Sequence, residues 1–447
     1  MSANAFASRP RPYRPGVNAL HVTSDQPAIP AREFLNLWWQ VAILSFGGPA
    51  AQIGVMQRLI VDDKQWLPQE EFNHALNFCM LLPGPEAQQL ATYIGWRLKG
   101  VRGGLAAGIL FVVPGALVML GLSLLYVTVG QTGFVEGLLF GLKCAVLAIV
   151  AQALLRMAGK VVVGRVAGLI AAGAFAGMFL FDLPFPLIIA AAALAGWWLY
   201  GESKPSLAGA PVISSVPIRV SVWVLMLWLG PLGLLWLWLG SESVWTQLGG
   251  FFSLVSMMSF GGAYAVLAWV AQFAADAQGW IEPGEMLDGL GLAETTPGPL
   301  ILVTQFVGFL AAWRHATGLD PLLAGSLGGL LTTWMMFAPS FLWIFLFAPW
   351  VERMRAHPGL AAALRGITAG VVGVIAFLAT WFALRLLFGE LRELAGFGLS
   401  PQVPVLSSID PVAVALSLGA AVLLFGLRLG LFRVVALSAL GGWLLTI

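Results

Sequence analysis

The chain has 447 residues, 59% of them hydrophobic and only 10% charged, with a formal net charge of +2 and a mean hydropathy of +0.88. A soluble domain carries about 25% charged residues, so this is the composition of a polytopic integral membrane protein, and a soluble enzyme with a large water-exposed domain is excluded. The Lys and Arg residues fall in short loops rather than on one face, which gives nucleic-acid binding no support.

Residues 1–33 are polar and rich in Pro and Arg. They lack the apolar stretch of a cleavable signal peptide and read as a disordered cytoplasmic tail. A first repeat, 34–200, holds apolar segments at about 34–61, 68–98, 104–130, 133–158, 161–181 and 185–200. A linker, 201–246, is polar and contains Pro and Ser to about 219, then apolar over about 220–239. A second repeat, 247–447, holds segments at about 247–276, 283–313, 320–349, 357–388, 410–427 and 430–446. A spanning helix needs about 20 apolar residues, and most of these qualify. Six segments return the chain to its starting side, so the single linker helix inverts the second six. The expected fold is all-α, with two inverted repeats containing broken helices and one linker helix.

Lys/Arg bias puts the N-terminus, with Arg9, Arg11, Arg14 and Arg32, in the cytoplasm and the C-terminus outside. Arg97, Lys99 and Arg102 then fall inside, as do Arg156, Lys160 and Arg165, Arg353 and Arg355, and Arg428 and Arg433. Five residues misfit: Arg58 and Lys64 land outside, and Asp276, Glu282 and Glu285 inside. The first two segments of each half are unusually polar and interrupted. They read equally as broken spanning helices or as re-entrant hairpins, and both leave the downstream sidedness unchanged.

The interruptions are duplicated. Ser45-Phe46-Gly47-Gly48 recurs as Ser259-Phe260-Gly261-Gly262, Trp66 as Trp280, and Pro83-Gly84-Pro85 as Pro297-Gly298-Pro299, all at one step of 214 residues. Internal duplication with broken helices is a recurring build of secondary transporters, and broken backbone survives at membrane depth only inside protein or beside a water-filled cavity. Pro opens a helix well and Gly permits the turn. Each new helix then points unpaired N–H groups and a partial positive charge at the break, an anion site. The candidate binding residues are therefore Ser45, Gly47, Gly48, Pro83, Gly84, Pro85, Glu86 and Gln88, with Ser259, Gly261, Gly262, Thr295, Thr296, Pro297, Gly298 and Pro299. Two breaks from inverted halves are expected to face each other across a shared polar cavity.

Lys143 joins this list because it is central in an apolar segment, where an ionisable group is a functional candidate by default. The competing reading is a structural ion pair with Glu136. Arg365 reads as a second cation or as a snorkelling interfacial arginine. Glu86 complements the helix dipole but repels an anion there, a conflict that protonation would remove. His74, Asp288 and Glu294 are weaker candidates. Cys79 and Cys144 indicate no disulfide framework, the four histidines lack metal-ligand spacing, and neither a nucleophile–base constellation nor a phosphate-binding loop is visible, so no cofactor and no metal is expected.

The run Phe46-Gly47-Gly48-Pro49, then Trp66, Glu70/Glu71-Phe72, Leu82-Pro83-Gly84-Pro85-Glu86-Ala87 and Tyr93-Ile94-Gly95 resembles the chromate ion transporter family. The second copy resembles that family's second domain, making this a long, two-domain type. In that copy Ala263 replaces Pro49 and Leu300 replaces Glu86, so the halves are not expected to be functionally equal. The resemblance implies secondary transport of a tetrahedral oxyanion, with efflux of chromate across the bacterial inner membrane. Sulfate or another oxyanion, or a passive anion channel, stands as the alternative, and a homodimer is compatible with the sequence.

Overall fold

The computed structural model describes residues 29–130, 132–201, 218–260, 262–347, 358–394, 396 and 399–446. The expected tail to residue 28, the polar linker, Gly261, Arg353 and Arg355 lie outside the described residues. The all-α expectation holds, with one addition: β1 (Leu391–Glu393) pairs antiparallel with β2 (Gln402–Pro404).

The first two segments of each half turn back on themselves. Helix α1 (Ala31–Leu44) ends where Gly47 and Gly48 take φ of 80° and 82°, a region that favours glycine, and Pro49 starts α2 (Gly48–Gln57). Beyond α2 the chain returns to the root of α1. Lys64 Nζ lies 2.7 Å from Glu33 Oε1, and Trp66 stacks on Phe34. Helix α3 (Gln69–Cys79) and the first arm of α4 (Glu86–Val129) form a second hairpin, tied by Phe78 against Tyr93 and by Arg97 to Glu71 at 3.4 Å. Helix α4 then reverses at Lys99 and Gly100, the latter at φ +63°. Its second arm runs back along the first, with Gly104 against the Thr92 carbonyl.

The second half repeats this. Helices α9 (Val244–Met258) and α10 (Ala263–Ala271) form one hairpin, closed by Phe251 stacked on Phe273 at 3.9 Å. Helices α11 (Pro283–Thr295) and α12 (Val303–His315) form the other, closed by Arg314 on Glu285 at 2.7 Å. The four segments that could be read either way are thus re-entrant hairpins.

Among the described residues the helices long and apolar enough to span are α4, α5 (Gly133–Val161), α8 (Ile218–Leu239), α13 (Pro321–Phe347) and α14 (Pro358–Leu387). Shorter apolar helices complete each half: α6 (Arg165–Phe181) and α7 (Phe185–Leu199), then α15 (Pro411–Ala421) and α16 (Leu431–Thr446). The halves exchange partners. Helix α5 packs on α15 and α16, whereas α14 packs on α6 and α7. Glycines permit both crossings: the Gly442 Cβ position falls 2.5 Å from Gly141 Cα, and the Gly196 position 2.6 Å from Gly366 Cα.

Because the hairpins turn back, the five charge misfits disappear. Arg58 and Lys64 lie at the end of the bundle that holds Arg97 and Lys99. Glu282 and Glu285 lie at the other end, sharing a cavity with Gly130 and Glu136. Asp276 lies there too, with Asp182 and Glu393. One end of the bundle is therefore basic and the other acidic.

Candidate functional site

The duplicated breaks meet crosswise at the centre of the bundle. The Gly84 N–H donates to the Ser259 carbonyl at 2.8 Å, and the Gly298 N–H donates to the Ser45 carbonyl at 2.7 Å. Each Pro-Gly-Pro thus faces the Ser-Phe-Gly-Gly of the other half. Both glycines have positive φ, +121° at Gly84 and +98° at Gly298. The flanking prolines 83, 85, 297 and 299 lack N–H groups, so the glycine N–H is the donor each break offers. Gln52 Nε2 donates to the Gly298 carbonyl at 2.7 Å, and Gln89 Nε2 to the Pro83 carbonyl at 2.6 Å.

Gly84, Pro85, Glu86, Ser259, Gly262 and Pro299 line a cavity of about 20 Å³ here. That is room for about one water, so a tetrahedral oxyanion does not fit between the breaks in this conformation. Three of the candidate hydroxyls are also committed. Ser45 donates to the Val41 carbonyl at 2.6 Å, Thr295 to Leu292 at 2.8 Å and Thr296 to Ala293 at 3.0 Å. Gln88 differs: it is fully buried, and among the described residues neither end of its amide has a partner. Gln52 Oε1, Gln89 Oε1 and Ser340 Oγ share that condition, and Ser340 Oγ lies 2.9 Å from the Cβ position of Gly84. Gln52 and Gln89 stand out in the sequence as polar residues in interrupted apolar segments. Ser340 gives no such signal, because only the fold brings α13 to the first break.

A larger cavity of about 900 Å³ opens at the basic end and reaches the first break. Phe46, Gly47, Gly48, Pro49, Ala50 and Ala51 form its inner wall. Arg156 and Lys160 enter from α5, Arg428 from the turn between α15 and α16, and Tyr264 and Glu294 from the second half. Helix α2 starts without a side-chain cap, leaving its first-turn N–H groups available. Arg156 donates to Gln152 at 3.1 Å. Among the described residues none of the three cations forms an ion pair. Glu294 is 3% exposed and accepts from Tyr264 Oη.

Lys143 is not brought to the breaks. It lines a separate cavity of about 390 Å³ at the acidic end. Its Nζ lies 3.1 Å from Asp288 Oδ2, which also accepts from Tyr126 Oη at 2.9 Å. The sequence reads Lys143 as facing the anion, with a structural pair to Glu136 as the competing reading; its ion-pair partner is Asp288, which sequence spacing cannot reveal because that residue belongs to the other half. Lys143→Ala is expected to leave Asp288, 2% exposed, without its counter-charge. The cost is about 1–3 kcal/mol, read as a lowered thermal midpoint in detergent. Lys143→Ala/Asp288→Asn should recover most of it; a double variant no more stable than the single one would remove the pair as the cause. Arg365 and His74 are exposed on the bundle surface.

The family model described as chromate transporter matches residues 32–197 and 246–443. A chromate transport protein of Pseudomonas aeruginosa is 30% identical over 371 residues, covering 81% of this chain and 84% of that protein. A probable chromate transport protein of Synechococcus elongatus is 25% identical, with 80% and 85% covered. A chromate transport protein of Cupriavidus metallidurans is 24% identical, with 81% and 85% covered. No solved structure matches.

Proposed function

Since the chain belongs to the chromate transporter family, we propose that it carries chromate, a tetrahedral dianion, out of the bacterial cytoplasm as a secondary transporter of the inner membrane. The observation that carries this reading is the basic vestibule of about 900 Å³ ending on the uncapped start of α2. Arg156, Lys160 and Arg428, without an ion pair among the described residues, raise the local concentration of anions there, and the uncapped helix start is suited to an oxyanion. The Lys/Arg rule assigns the basic end to the cytoplasm, so the vestibule opens towards the compartment from which export begins.

A dianion leaving a negative interior gains about 2 × 2.3, or roughly 4.6 kcal/mol, per 100 mV. That sustains a gradient of about three orders of magnitude, so export needs no coupled ion. A second reading, proton exchange, is favoured by Glu86, which lines the central cavity and has no cationic partner among the described residues. Proteoliposomes loaded with chromate and clamped with potassium and valinomycin separate the two. Flux that follows potential and ignores a pH gradient supports uniport. Flux driven by a pH gradient at zero potential, and lost in Glu86→Gln, would replace uniport with proton exchange. Sulfate carried at the same rate would widen the substrate to oxyanions in general, and unsaturable flux without counterflow would make the protein a channel.

A further inference from the structure

The two halves can be superposed residue by residue from contacts that repeat. Gly141 meets the Ser438 carbonyl and Gly442; Gly366 meets the Ala192 carbonyl and Gly196. Helix α5 therefore corresponds to α14, and α16 to α7. The same correspondence carries Arg428 onto Asp182, and both hold the left-handed conformation, at φ +52° and +48°. It carries Arg156 onto Trp381 and Lys160 onto Arg385, while the 214-residue step carries Asp62 onto Asp276 and Arg58 onto Gln272.

Applied to the vestibule, this correspondence identifies a second cavity. Arg156, Lys160 and Arg428 line about 900 Å³ at the basic end. Their counterparts Trp381, Arg385 and Asp182 line about 120 Å³ at the acidic end. Across the small cavity Asp276 takes Arg385 Nη2 at 2.8 Å on one oxygen and Trp381 Nε1 at 3.0 Å on the other. Gln272 Nε2 bonds Asp182 beside it. At the basic end the equivalent Asp62 and Lys160 form no ion pair among the described residues.

We infer that the small cavity is the exit site of the oxyanion pathway, and that the Asp276 latch holds it closed while the cytoplasmic vestibule stands open. The reason is the duplication. Two halves of like build and opposite orientation have like conformations available to them, so the arrangement that opens one end of one half can open the other end of its copy. Exchange of the two arrangements releases Asp276 from Arg385 and Trp381 and brings Asp62 to Lys160. The exit is also charged to discharge its cargo. Asp182, Asp276 and Glu393 stand against one Arg385, so a released dianion is repelled outward, whereas the entry is basic.

The reading of the vestibule as the substrate's entrance underlies this inference, but the test does not require chromate. Cys79 and Cys144 are both buried, so an introduced thiol can be followed alone. Gln152→Cys reports on the vestibule and Phe377→Cys, its counterpart, on the exit. A membrane-impermeant maleimide is applied to right-side-out and inside-out vesicles. With the latch intact, Gln152→Cys should label rapidly from the cytoplasmic face and Phe377→Cys slowly from outside. Asp276→Asn removes a charge-assisted partner, so exit labelling should rise at least about tenfold as vestibule labelling falls. Trp381→Phe, which removes the Nε1 bond and keeps an aromatic ring against Arg385, should shift both in the same direction by less and covers the case in which Asp276→Asn does not fold. An Asp276→Cys/Arg385→Cys pair bridged by a short bifunctional reagent should stop chromate flux. Labelling at both reporters that ignores the latch variants, or a bridged pair that transports at the unbridged rate, overturns the exit. Labelling that responds as expected without any chromate flux keeps the exit and rejects chromate as its cargo.

Discussion

Gly141→Ala and Gly366→Ala are each expected to prevent the two halves from assembling. An added Cβ at Gly141 meets the Ser438 carbonyl, and at Gly366 the Ala192 carbonyl. Both obstacles are backbone, so no rotamer change can clear them and the helices must part. Overpacking of a well-packed core costs about 1–3 kcal/mol and occasionally more, and these contacts belong at the upper end, because each lies where α5 or α14 grips the other half. The measurement is the yield of monodisperse protein in detergent together with its thermal midpoint. Gly173→Ala is the control: nothing lies within 4 Å of its Cβ position, and alanine there improves helix propensity by about 1 kcal/mol. If Gly141→Ala or Gly366→Ala behaves like the control, the exchanged packing of the halves is wrong.

Reversing the vestibule charges should slow export without unfolding the protein. The three residues Arg156, Lys160 and Arg428 border the open vestibule and form no ion pair among the described residues, so their replacement leaves no buried partner charge behind. Two unit charges about 8 Å apart in water interact by about 0.5 kcal/mol. A dianion doubles that figure, reversal doubles it again, and physiological salt removes about two-thirds. Roughly 0.7 kcal/mol per position remains, or about 2 kcal/mol for Arg156→Glu/Lys160→Glu/Arg428→Glu, a fall of roughly 30-fold in flux at low substrate. At about 1 M salt, where screening acts over about 3 Å, most of the difference should vanish. A triple variant that keeps wild-type flux at low salt would rule out the vestibule as the entrance.

Class, repeat and linker helix were legible because each is a local property of the sequence: hydropathy, a fixed step and one odd apolar segment. The hairpins were legible too, in the five residues that broke the Lys/Arg pattern. Arg58, Lys64, Asp276, Glu282 and Glu285 fit the charge rule once their segments turn back, so they were the evidence that downstream loops could not give. What the sequence hid was partnership between halves. Pro-Gly-Pro was expected to face its own copy across a shared cavity; residues of both copies line the small central cavity, while the glycine of each bonds the serine of the other motif. Lys143 reads as a solitary cation until Asp288, from the other half, is folded against it. Ser340 reads as one more helical serine until α13 is laid over Gly84.

The crosswise bonds from Gly84 to Ser259 and from Gly298 to Ser45 also set an order of events during synthesis. Ser45 and Gly84 emerge from the ribosome about 175–250 residues ahead of the partners that satisfy them. At about 5–20 residues per second the interval between Ser45 and Gly298 is roughly 13–50 s. For that time the first half sits in the bilayer with both breaks open and with α6 and α7 waiting for α14. Groups that cannot be left bare in lipid must be held meanwhile by water, by lipid headgroups or by a membrane chaperone. The breaks that join the two halves of the finished protein thus make its half-made form the most vulnerable stage in its life, and the cost should appear as degradation of truncated chains rather than as their slow folding.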